Sequence, residues 1–207
     1  GKTVLQLPHE HRRPITNAIF SPRDKQLLVT ASLDGTARVW QVDKRQVLRV
    51  LNHASNANAA RPVRSAIFSP DATQIATGGD DGAIRLWDAT SGQSLGTFDA
   101  QSAVLALAYS ADGKWILAGT ESGRAVVFDV ATAAPLVSYQ GHTAAIHSVA
   151  FSPDGSRALT GSSDRTAKLW DTLPSEVAVP EPNDNEADNG AQPNAPRAGK
   201  EILTLKH

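Results

Sequence analysis

Most of this chain consists of short runs in which apolar residues alternate with small or polar ones, separated by Pro, Gly, Asp and Ser. Nothing repeats at the 3.6-residue spacing of an amphipathic helix, so the pattern predicts antiparallel hairpins. Residues 146–151 (IHSVAF), 156–161 (SRALTG) and 166–171 (TAKLWD) show this most clearly, joined by SPDG and by a tight turn at Ser163–Asp164–Arg165. The same punctuation recurs upstream, where Asp-Gly at 34–35 and 81–82 predicts two-residue hairpin turns with positive φ.

The alternation itself repeats. Four segments end alike: ASLDGTARVWQ at 31–41, GGDDGAIRLWD at 78–88, GTESGRAVVFD at 119–129 and GSSDRTAKLWD at 161–171. Their aromatic residues Trp40, Trp87, Phe128 and Trp170 lie 47, 41 and 42 residues apart. A second block keeps the same phase, with AIFSP at 18–22, AIFSP at 66–70, LAYSADG at 107–113 and VAFSPDG at 149–155. A fourth strand is predicted after each aromatic residue, in QVLRVL (46–51), QSLGTF (93–98), PLVSY (135–139) and EILTL (201–205). A lone four-stranded sheet leaves both faces wet, whereas radial stacking of such sheets buries them. A period of about 40–45 residues with four strands per unit matches that architecture.

On these residues the chain resembles the WD-repeat β-propeller family, over about 2–173 and 199–207. The resemblance implies an all-β propeller of four-stranded antiparallel blades, with four repeats present. The chain divides into 1–8 (outer strand of a preceding blade), 9–52, 53–99, 100–140 and 141–207 (repeats one to four). The family's buried tetrad of His, Ser/Thr, Asp and Trp would be His11, Thr30, Asp34 and Trp40 in repeat one, and His142, Thr160, Asp164 and Trp170 in repeat four. Repeat two offers Thr77, Asp81 and Trp87, with His53 displaced by extra residues in 53–61. Repeat three carries Ala100, Ala118, Ser122 and Phe128 instead, removing donors and acceptors together, which can be nearly neutral.

In this family the start of each inner strand opens onto a face around the central channel where partners commonly bind. Arg12, Arg13, Arg61, Arg64 and His147 fall at such places, and the residues preceding the turn Asp are Leu33, Asp80, Glu121 and Ser163. A basic sector beside an acidic one would suit a charged peptide, with charge setting the on-rate more than the affinity.

Other chemistry is weaker. The Trp residues could stack a ligand, and the turn aspartates could work as acid–base pairs, but repeat phase makes the first core and spreads the second one per blade. His9 and His11 could ligate zinc with a third group, yet His11 is already claimed by the tetrad. No metal site and no cofactor are expected. The string ADGKW at 111–115 lacks a phosphate loop's upstream glycine, and no nucleophile elbow, HExxH, EF-hand or dinucleotide fingerprint occurs.

Composition narrows the partner. The 207 residues carry a net charge of −1 and no cysteine or methionine, so no nucleic acid is expected and disulfides are excluded. With no apolar stretch of spanning length and no secretory leader, the expected compartment is the cytoplasm. Residues 174–198 hold five acidic residues and one basic, with repeated Pro and Asn, and predict a disordered insert. KTVLQL at 2–7 adds a fifth outer-type strand to only four sets of the other three. With Gly1 in place of an initiating Met, this suggests a segment of a larger propeller; alternatively two copies close an eight-bladed ring, leaving one surplus strand per chain. The expected function is a non-catalytic scaffold for a protein or peptide. Alternatives are a sensing or recruiting domain of a larger enzyme, such as a protein kinase, and more remotely a metal or small-molecule enzyme on the blade loops.

Overall fold

A computed structural model describes residues 6–8, 10–53, 61–172 and 196–206. Blade one is β1 (Ile15–Phe20), β2 (Leu27–Ser32), β3 (Thr36–Gln41) and β4 (Gln46–Asn52), hydrogen-bonded in that order. Blade two repeats the order with β5 (Val63–Phe68), β6 (Gln74–Gly79), β7 (Ala83–Asp88) and β8 (Ser94–Asp99). Blade three is β9 (Val104–Tyr109), β10 (Trp115–Thr120), β11 (Ala125–Asp129) and β12 (Pro135–Tyr139). In blade four β13 (Ile146–Phe151), β14 (Arg157–Ser162) and β15 (Thr166–Asp171) are followed, across the insert, by β17 (Glu201–Lys206). The expected all-β propeller blades are present, and no helix among the described residues is long and apolar enough to cross a membrane.

Strand alternation gives every sheet two apolar faces, and the faces that adjoin a neighbouring blade bury against it. Val29, Val39 and Leu51 of blade one meet Val63, Phe68, Ile75 and Trp87 of blade two. Ile84, Leu86 and Phe98 meet Val104, Ile116 and Phe128, and Leu117, Val127 and Tyr139 meet Ile146, Ala158 and Trp170. Each fully buried side chain of this size stabilises the fold by about 1.5–3 kcal/mol. The inner strands adjoin in the order β1, β5, β9, β13.

A knob and a socket set the spacing between blades. In blades three and four the first residue of the inner strand projects onto a glycine of the preceding blade's second strand. A Cβ at Gly78 would lie 2.5 Å from a Val104 methyl, and one at Gly119 would lie 2.6 Å from an Ile146 methyl. Blade one carries Ala31 at the matching position, buried in the same cluster as Val63.

Two local expectations change. The Asp-Gly turns place only the glycine at positive φ, 85° for Gly35 and 78° for Gly82. They are therefore three-residue loops closing on an αL position, which a single left-handed residue suffices to build. Arg165 holds the equivalent place in blade four, at φ 70°. The insert also ends earlier than expected: β16 (Arg197–Ala198) pairs in parallel with β12, making blade three five-stranded. Gly199 then lies against the Tyr139 ring and donates its N–H to Ser138 O at 2.8 Å. The rest of the insert, 174–195, and strand 2–7 up to residue 5 lie outside the described residues.

Among the described residues the row of blades does not close on itself. Ile15 and Phe20 of blade one and Leu159, Leu203 and Leu205 of blade four are exposed.

Candidate functional site

The tetrads of blades one and four form as the residue types require. Trp40 Nε1 donates to Thr30 Oγ1 (2.8 Å), which lies 2.7 Å from His11 Nε2, while His11 Nδ1 sits 2.9 Å from Asp34. In blade four Trp170, Thr160, His142 and Asp164 repeat this at 2.9, 2.7 and 2.7 Å. A neutral histidine satisfies the whole chain: it donates from Nδ1 to the carboxylate and accepts the threonine proton at Nε2. Burial lowers the His11 pKa against its ion pair with Asp34. Burial alone would raise Asp34, but hydrogen bonds from Thr36, His11 and the Arg12 amide outweigh it and hold the carboxyl at about 2.

Blade two departs from the expectation. His53 is not displaced out of the site: it is buried, with Nδ1 3.3 Å from Asp81. It misses the Thr77 hydroxyl because the Arg85 guanidinium enters between ring and carboxylate, 2.7 Å from His53 Nδ1 and 2.7 Å from Asp81 Oδ2. Arg85 can only donate, so Nδ1 accepts, and Nε2–H is left to donate to the Thr77 carbonyl at 3.4 Å. Trp87 still donates to Thr77 Oγ1 at 2.8 Å. In blade three Ala100, Ala118 and Phe128 are buried, and Phe128 stacks on Phe98 with ring centroids 5.6 Å apart. Ser122 is exposed and hydrogen-bonds Thr120.

These groups are consumed in holding blades together. The candidate binding residues stand elsewhere, at one end of the sheets. The amides of Leu33, Asp80, Glu121 and Ser163 each donate to a carbonyl just before the neighbouring inner strand: Pro14, Pro62, Ala103 and Ala145, at 2.9–3.0 Å. That repeated bond brings the two expected series side by side in every blade.

Their charges combine differently from two separate sectors. Arg64 donates from Nε and Nη2 to both oxygens of Asp80, at 2.6 and 2.8 Å, so one expected base neutralises one expected acid. The hydrogen bonds donated to Asp80 raise the Arg64 pKa, and Glu121 adds to the effect at longer range. His147 Nε2 lies 2.8 Å from Ser163 Oγ. Arg12, Arg13, Arg61 and Glu121 remain exposed, and Leu33 is half-buried. The pairing of Arg64 with Asp80, 16 residues apart, is the contact the sequence reading missed; aligning β5 against β6 across their turn would have brought it out.

Among the described residues no group of three or more His, Asp or Glu side chains converges as a metal site. His9 lies outside them.

Comparison with known proteins matches the WD domain, G-beta repeat family over residues 1–41, 46–88, 92–129 and 133–171. A guanine nucleotide-binding protein subunit beta from Oryza sativa subsp. japonica is 26% identical over 179 residues, covering 80% of this chain and 46% of that protein. A serine-threonine kinase receptor-associated protein from Gallus gallus is 30% identical over 162 residues, 78% of this chain and 44% of the relative. Protein SPA1-RELATED 3 of Arabidopsis thaliana is 26% identical over 162 residues, 77% of this chain but only 19% of its own length. The chain thus spans less than half the length of these relatives.

Proposed function

This chain belongs to the WD domain, G-beta repeat family, and from that premise we propose that it is a non-catalytic scaffold holding a protein or peptide on the face where its inner strands begin. One observation carries the reading. The polar side chains that build the tetrads of blades one and four are buried and mutually satisfied, whereas that end of the sheets presents Arg12, Arg13, Arg61 and Glu121 to solvent beside half-buried Leu33. Exposed charge around a half-buried apolar residue suits recognition of an extended peptide carrying both signs. Relatives named for association with a receptor or for a nucleotide-binding assembly are compatible with such a role.

The test is to select peptides from a displayed library on the wild-type chain and titrate the best of them against variants. Arg13→Ala, Arg61→Ala and Glu121→Ala are expected to weaken binding tenfold or more in combination. Asp112→Ala and Lys114→Ala, in the β9–β10 turn, are expected to leave it unchanged. Peptides indifferent to the first set would refute this binding face.

A further inference from the structure

We propose that blade two carries a proton-operated exchange, permitted by Ala83, in which protonation of His53 moves Asp81 from the Arg85 guanidinium to the imidazolium and releases Arg85. The inference stands whether or not a peptide binds the neighbouring face.

Three blades place the same residue types around one turn, and the structure holds them in two arrangements. The turn aspartates Asp34, Asp81 and Asp164 are each followed four residues later by a cation: Arg38, Arg85 and Lys168. In blades one and four the cation stays outside the tetrad. Arg38 turns to Glu10, with Nη1 3.5 Å from its carboxylate, and Lys168 donates to Glu201 and Thr204 at 2.7 and 2.8 Å. Of the three, only Arg85 enters, placing Nη1 2.7 Å from both His53 Nδ1 and Asp81 Oδ2.

The residue two beyond the aspartate accounts for the difference. Thr36 and Thr166 open β3 and β15, and each donates its hydroxyl to the turn carboxylate at 2.6 Å. The same hydroxyls stand 3.3 and 3.2 Å from Nδ1 of His11 and His142. Threonine therefore occupies the gap between carboxylate and ring. Ala83 holds the matching place at the start of β7 and supplies only its amide, at 3.1 Å. The gap is left open there, and Arg85 Nη1 touches the two groups that the hydroxyl touches elsewhere.

Proton uptake works against the arrangement of blade two. A guanidinium has no lone pair, so its contact with His53 requires a bare Nδ1. An imidazolium carries a hydrogen on both nitrogens, which leaves two cationic donors 2.7 Å apart. Asp81 Oδ2, 3.3 Å from Nδ1, accepts the new N–H, and Arg85, whose side chain is 21% exposed, withdraws. Among the described residues Asp81 and Arg85 are the charged groups that face the ring, whose other neighbours are the Thr77 carbonyl and Gly79. Burial lowers the His53 pKa from 6.5, with Asp81 opposing and Arg85 reinforcing it, so the exchange lies below that pH. The turn that changes also carries Asp80, which holds Arg64 on the proposed partner face.

The test follows the whole chain, labelled with nitrogen-15, by NMR from about pH 7.5 to about pH 5. At the upper end the His53 ring is expected to carry its proton on Nε2, and Arg85 to give separate, slowly exchanging Nη signals. Those signals are expected to collapse with the same midpoint at which the His53 ring titrates. Ala83→Thr is expected to release Arg85 already at the upper pH and to move the His53 proton to Nδ1. Ala83→Val, of the same shape without the hydroxyl, is expected to leave both as they are in the unmodified chain. An Nδ1 proton in the unmodified chain at the upper pH would overturn the proposal. So would a His53 ring that stays neutral throughout, Arg85 signals that persist through its titration, or equal effects of threonine and valine at position 83.

Discussion

His11 and His53 take up opposite hydrogen-bonding roles at matching places in neighbouring blades. His11 donates to a carboxylate and accepts from a hydroxyl; His53 accepts from a guanidinium and donates to a carbonyl. Both work only as neutral rings. Burial lowers the pKa of each below the ordinary 6.5. Because the folded value is the lower one, the unfolded chain takes up protons first, and stability present above pH 6.5 falls as the pH drops below it. Asp34, with its folded value at about 2 against 3.8, adds a second loss confined to pH below 3.8. Urea midpoints are expected to fall as the pH drops from 7.5 to 5.5 and to fall further below pH 4, with His53→Gln reducing the first fall. A flat profile between pH 7.5 and 5.5 would show that neither ring resists protonation.

At the level of elements, β16 is the least conventional piece. Two residues in parallel register fasten the end of the insert to blade three before the chain crosses to blade four. The attachment depends on Gly199, where a Cβ would overlap the Tyr139 ring. Gly199→Ala is therefore expected to lift β16 away, so that the amide at position 199 exchanges with deuterium at least tenfold faster while β17 keeps its protection. Unchanged exchange at 199 would mean that the ring yields instead. No alternation in the sequence foretells such a strand, because two residues hold no period. The sixteen other strands among the described residues were legible from hairpin punctuation and repeat phase, as were the tetrads of blades one and four. Arg85 was not: within AIRLW it looks like a solvated strand cation, and only the neighbouring blade edge reveals that it enters the His53–Asp81 pair.

The matched family segments straddle the blades: 46–88, for example, begins with the outer strand of blade one and ends with the third strand of blade two. The stretch that is copied is therefore not the sheet that folds. Gaining or losing one copied stretch changes the blade count by one while every sheet still receives four strands. A lineage of such chains can lengthen or shorten its arc in whole steps without a half-built sheet at any stage.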